Sequence, residues 1–262
     1  MSIILWIVGA TFLVSLISFV GVITLSLKRK FLEKILSGLV AFAAGTLIGV
    51  AFFDLVPEAL GAGSSASLYL VSGVLLFFIV ERFVGWHHAH HDHDINPSEH
   101  HKDKDHDKYH HKPFIYTNLM ADGVHNFLDG TVIAAAFITN IPLGIVTSIA
   151  VALHEIPQEI GDFAILVHGG LSIRKALIFN FISAITALAG GLIAFYLSSS
   201  SIGNLNPLLL GIGGGGLLYL ALTDLLPEIN KENDIKRSLI QFVFLFSGIL
   251  IVYSLALLLP KV

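Results

Sequence analysis

Residues 146–170 read VTSIAVALHEIPQEIGDFAILVHGG, an apolar run with HEIPQEIGD (154–162) set into its middle. The run is long enough to cross a hydrocarbon core of about 30 Å, which takes roughly 20 residues. One histidine, three carboxylates and a glutamine therefore sit where a bilayer strongly disfavours them. Polar groups at such depth normally face a cavity or one another and mark an ion or proton path. The first letters nearly spell HExxH, the zinc-protease motif, so a protease is the first reading to weigh.

The rest of the chain gives that stretch its setting. Of 262 residues, 55% are hydrophobic and 13% are charged, against about 25% charged in a soluble domain. Apolar runs of membrane-spanning length recur throughout, so the fold class is an all-α polytopic membrane protein. Eight spans are expected, at about 2–27, 33–60, 66–86, 114–138, 141–169, 172–197, 203–229 and 236–260. The N-terminus lacks a basic leader region and a small-residue cleavage site, so its run reads as a retained first span. With no cysteine, disulfides and thiolate metal sites are excluded. The formal net charge of −4 says little, because most charges lie in loops; no nucleic-acid partner is expected.

Lysine and arginine set the orientation. Lys28, Arg29, Lys30 and Lys34 flank the first loop, and Arg82, Lys102, Lys104, Lys108 and Lys112 the third. Arg174 and Lys175 mark the fifth, and Lys231, Lys236 and Arg237 the seventh. The even-numbered loops contain none. The positive-inside rule makes the odd loops cytoplasmic and leaves both termini outside, in a plasma or inner cell membrane.

The second span ends DLVPEAL (54–60) and the seventh DLLPEIN (224–230). The same offset aligns Gly45 with Gly215, Leu47 with Leu217 and Ala51 with Ala221. Those spans run in opposite directions. The pattern is that of inverted three-span repeats around a two-span core, a 3+2+3 arrangement common among secondary transporters. Two apolar helices ending in Asp, Pro and Glu would be the plainer account.

The fourth span contains LMADGVHNFLDGTVIAAAF (119–137). Asp122, His125, Asn126 and Asp129 recur at i, i+3, i+4 and i+7, one face of a helix. Glu155, Gln158, Glu159 and Asp162 repeat that spacing in the fifth span, with His154 one turn before Gln158. Pro157 removes a backbone hydrogen bond and frees a carbonyl near this stripe. Imidazole with carboxylate, and no sulfur, suits zinc and related first-row divalent ions. Interhelical hydrogen bonds could account for Asn126, Gln158 or one His–Asp pair, but poorly for two histidines and five carboxylates. The protease motif needs a second histidine where Gln158 stands, with Pro157 inside the motif, which argues against it.

HNFLDG (125–130) followed by HEIPQEIGD (154–162) resembles the paired signature of the ZIP divalent-metal transporters, especially the branch with an HExPHExGD-like fifth span. The resemblance implies eight spans, both ends outside, a cytoplasmic His-rich loop after span three, and a homodimer. It implies metal ligands at His125, Asn126, Asp129, His154, Glu155 and the Gln158 position, with Glu159 beside them. Gln158 departs from the branch, where histidine is usual. Span six carries no carboxylate for a second metal, only Asn180, Ser183 and Thr186 on one face.

Residues 87–111 hold ten of the thirteen histidines. Segment 87–113 cannot form a core and is expected to be a disordered cytoplasmic loop that binds metal loosely, with transport surviving its deletion. Asp54 and Glu58 at the outer end of span two, Asp224 and Glu228 at the inner end of span seven, and Asp122, Asp162 and His168 are candidate pathway residues. The expected function is import of Zn²⁺, or of Fe²⁺, Mn²⁺ or Cd²⁺, into the cytoplasm, with metal as substrate, no cofactor and no catalysis. An intramembrane protease and a non-transporting metal sensor are the competing readings.

Overall fold

A computed structural model of the chain describes residues 2–25, 29–61, 63, 65–92, 107–198 and 205–258. These residues form eight helical rods and no strand. Six are long and apolar enough to cross a membrane: Ile3–Ile23, Lys34–Gly61, Ile141–His168, Ile173–Ser198, Asn206–Ile229 and Ile235–Leu258. The third helix, Ala66–Asp92, and the fourth, Asp107–Thr139, are not among the six; the fourth carries the Asp122–Asp129 stripe, which lowers its hydropathy. The expected loop 87–113 is shortened, because helical backbone runs on to Asp92 and resumes at Asp107. Residues 93–106 lie outside the described residues.

Four rods are interrupted, and the interruptions have local causes. In the second helix, Arg29–Val50 gives way to a π turn at Ala51–Leu55 before Val56–Gly61. In the seventh, Asn206–Leu220 gives way to a π turn at Ala221–Leu225 before Leu226–Ile229. A proline has no N–H, and its ring clashes with the carbonyl four residues back, so a wider turn forms just ahead of Pro57 and Pro227. The Val56 N–H reaches Ala51 O, and the Leu226 N–H reaches Ala221 O. The first helix passes through a 3₁₀ segment at Leu16–Val20, and the sixth breaks between Ala184 and Thr186. Each break is served by the other helix: Ser15 Oγ donates to Ala184 O (2.8 Å), and Asn180 Nδ2 donates to Ser18 O (3.2 Å). The fifth helix starts where Asn140 Oδ1 accepts from the Leu143 N–H at 2.8 Å, an N-cap. It continues unbroken through Pro157 to His168.

The rods assemble as two groups of four. Helices one, four, five and six form one, around Ile7, Ile133, Phe137, Val151 and Phe163. Helices two, three, seven and eight form the other. Within each group, glycines let backbones touch. A Cβ on Gly130 would lie 1.9 Å from Ala187 O, and one on Gly190 2.0 Å from Phe127 O, which joins helices four and six. In the second group Gly45 meets Leu245 O at 2.1 Å and Gly248 meets Phe42 O at 2.5 Å, joining helices two and eight. Gly215 meets Leu70 O at 2.1 Å and Gly73 meets Ile212 O at 2.3 Å, joining seven and three. A shift of 170 residues carries Phe42 and Gly45 onto Ile212 and Gly215, and a shift of 175 carries Leu70 and Gly73 onto Leu245 and Gly248. The two sets of contacts then coincide.

The seam between groups is of another kind. Where the groups touch it is apolar, with Leu47, Val50, Ala51, Leu217 and Leu220 against Val132, Ala135, Ala136, Val146 and Ala150. Its closest glycine approach among the described residues, Gly213 to a Val132 methyl, is 3.0 Å and involves a side chain.

Candidate metal centre

Helices four and five lie side by side, and four side chains converge where they meet. His125 and Asp129, one turn apart, come from helix four; His154 and Glu155 come from helix five. One ligand atom from each lies within 4.8 Å of all the others. His125 Nε2 is 3.2 Å from His154 Nε2, 3.7 Å from Asp129 Oδ2 and 3.5 Å from Glu155 Oε1. His154 Nε2 is 3.1 Å from Asp129 Oδ2 and 3.4 Å from Glu155 Oε1. Zinc bonds of about 2.0–2.2 Å to N and O place the corners of a tetrahedron about 3.3–3.6 Å apart. The five separations just given stand close to the spacing that one such ion requires, and the Asp129–Glu155 pair lies within 4.8 Å. Asp129, Glu155 and His154 are buried, and the His125 side chain is 15% exposed.

That exposure is to a cavity of about 420 Å³. Its walls run from His125 and His154 past Gln158, Asp122, Asp162 and Asn118 to Glu81, Asp224 and Glu228. One wall belongs to helices four and five and the other to helices two, three and seven. Asn118 Nδ2 donates to Asp162 Oδ1 at 2.9 Å, tying helices four and five together along it. All four convergent ligands are on the first group of helices, while Glu81, Asp224 and Glu228 are on the second.

The seven residues singled out as ligands do not all meet. Gln158 lies about 40° around the helix from His154, one turn further on, and lines the cavity. Glu159 lies about 140° around from His154 and is buried against Asn180. Asn126 donates to Asp122 Oδ1 at 2.8 Å, and Ser183 Oγ donates to Asp122 Oδ2. The stripe on helix four spans an arc of about 100°. His125 and Asp129 occupy one edge of it and turn toward helix five; Asp122 and Asn126 occupy the other and turn toward helix six.

Among the pathway candidates, Asp162, Asp224 and Glu228 line the cavity, with Glu228 paired to Lys231. Asp54 is buried within the first π turn, and Glu58 lies in the helical turn after it. His168 is exposed at the end of helix five, its Nδ1 2.8 Å from Ala164 O, and is not among the residues that line the cavity. Sequence reasoning missed Asn118, Glu81 and Tyr219 as cavity-lining groups. Glu81 carries a signal that could have been used, an acid beside Arg82 in a flank otherwise marked by basic residues.

Comparison with known proteins agrees with the motif resemblance. The family described as ZIP Zinc transporter matches residues 2–256. An uncharacterised zinc transporter of Schizosaccharomyces pombe is 40% identical over 53% of this chain and 32% of its own length. Mouse metal cation symporter ZIP14 is 30% identical over 89% of this chain and 62% of its own length. Human zinc transporter ZIP4 is 43% identical over 47% of this chain and 18% of its own. The matched stretches thus cover from under a fifth to about three fifths of these relatives. With a family match over nearly its whole length, the chain belongs to the ZIP zinc transporter family.

Proposed function

We propose that the chain imports zinc, or a closely similar divalent cation, through the centre formed by His125, Asp129, His154 and Glu155. The observation that carries this reading is a buried set of four N and O ligands, spaced for one tetrahedral ion, at the head of a cavity lined by carboxylates. Two imidazoles and two carboxylates together match the charge of a divalent ion and replace its water shell. Such a set selects zinc over hard cations, which prefer oxygen alone.

The basic odd-numbered loops make the Glu228 end cytoplasmic, so the cavity leads inward. Gln158, Asp162 and Asp224 are then exit stations, where a neutral or singly held ligand lets metal go. The paired glycine contacts and the two π turns support inverted repeats within a 3+2+3 arrangement of eight spans. Since every ligand sits on helices one, four, five and six as a group, that group can slide along the smooth seam with its ion still coordinated. Homodimer assembly in the cell membrane is part of the same proposal. A hydrolytic protease needs an open metal position for water; here four protein ligands fill the tetrahedron, which weighs against that reading.

The test is zinc influx into proteoliposomes holding the full chain, compared with Asp129→Ala. Saturable uptake that disappears in the variant supports a carrier working through this centre. Equal uptake by both proteins, or none by wild type that still binds zinc, overturns it.

A further inference from the structure

Two turns from the metal centre, a hydrogen bond bars the groove between helices four and five. Asn118 lies seven residues before His125, and Asp162 lies eight after His154. The two helices run in opposite directions, so both offsets lead the same way, about 10–12 Å along the axis. There Asn118 Nδ2 donates to Asp162 Oδ1 at 2.9 Å. Both side chains line the cavity, and among the described residues no group donates to Asp162 Oδ2.

The helices have little need of this bond to stay together. Asn140 alone joins them at one end. At the other, Ile115 packs in a buried cluster with Phe163 and Leu166. What the bond changes is the carboxylate. A free carboxylate offers two oxygens and can grip a cation with both. A lysine or arginine at position 118 would occupy Asp162 and cancel its charge, whereas an amide N–H is neutral. Asn118 therefore takes one oxygen and leaves the negative charge in place. Asp162 still attracts a divalent ion but has one oxygen left to hold it.

We propose that Asn118 is a positioning residue for metal release, a role that rests on the carrier function above. By holding Asp162 Oδ1, it confines the carboxylate to single-oxygen contact with a passing zinc ion. An ion leaving the four-ligand centre is drawn along the cavity by the charge of Asp162 and moves on without being gripped.

The experiment measures zinc uptake by proteoliposomes of the full chain, and zinc stoichiometry of the same proteins in detergent by equilibrium dialysis. Asn118→Leu removes the donor while keeping a side chain of similar size. Turnover should fall several-fold while KM does not rise, because an ion gripped by both Asp162 oxygens leaves slowly. In an Asp162→Ala background, Asn118→Leu should have no further effect on turnover. Asn118→Asp, also similar in size, replaces the donor with a second carboxylate. It should bind one zinc equivalent more than wild type and nearly abolish turnover. A merely structural tie would lose folded protein in both variants and gain no zinc. Should Asn118→Leu alone fail to fold, the extra equivalent in Asn118→Asp carries the test. Unchanged turnover in Asn118→Leu, an equal loss in the Asp162→Ala background, no added zinc in Asn118→Asp, or failure of both variants to fold would each overturn the proposal. Asp129→Ala keeps the two claims apart. Uptake equal to wild type there overturns the carrier reading itself; uptake lost there, with Asn118→Leu unchanged, overturns only the role of Asn118.

Discussion

Two kinds of helix contact divide this molecule. Inside each group of four, backbones press together through glycine, as where Gly130 meets Ala187 and Gly45 meets Leu245. Along the seam between the groups the helices meet through alanine, valine and leucine side chains. In a bilayer, lipid tails compete equally with apolar side chains, so close backbone packing is what holds helices together. A side-chain seam gives less resistance to sliding than interlocked backbones. On the proposed reading the groups stay whole while the surface between them shifts, and the four convergent side chains all ride on one side.

The largest expected effect comes from breaking the interior of a group. Gly130→Ala would place a methyl group 1.9 Å from Ala187 O, a clash only backbone movement can relieve. Overpacking of this kind costs about 1–3 kcal/mol and more where backbone must move. The unfolding temperature in detergent should fall by several degrees or folded protein should be lost; an unchanged value would deny that the contact is tight.

Next is Asp129→Ala, which removes one of the four convergent side chains from a fully buried position. Zinc affinity by calorimetry should drop at least about 100-fold, since losing even a residue that merely orients a ligand costs 10–100-fold.

The seam gives a third, smaller effect. If the groups slide as proposed, Gly213→Leu should slow zinc uptake several-fold more than it weakens zinc binding, because the added side chain meets Val132 across the seam. Equal losses in both would show that the seam is as rigid as the interiors.

Smallest is Gln158→His, on the cavity wall next to the ligands. An added imidazole should tighten zinc binding several-fold and lower the turnover of uptake. Faster turnover with tighter binding would contradict the proposed role of Gln158 as an exit station.

Much of this architecture was legible from the residues alone. Hydropathy and the clustering of Lys and Arg outlined eight helices, and the HNFLDG and HEIPQEIGD motifs pointed to the two that carry the site. The repeated DLxPE ends pointed to helices two and seven, where the π turns lie. Periodicity, however, gives only the direction of a side chain and not what stands there. Seven residues looked alike as ligands, yet an arc of about 100° is wide enough for one helix to face two neighbours. Asn126 and Glu159 face helix six, whose Asn180 and Ser183 have no charge to announce them. Helical backbone beyond residues 86 and before 114 went unread because a composition rich in histidine and charge resembles a linker.

The two π turns carry a last consequence. Each inserts one residue into a helical turn, so the segment after it is rotated by about 100° relative to an unbroken helix. The faces before and after the turn are thus set independently. Phe42 and Gly45 pack one way in their group, while Glu58, beyond the turn, is aimed by another phase. Deleting a single residue from Ala51–Leu55 would heal the helix and lose that phase, so shortening the chain there should do more harm than replacing any one side chain in it.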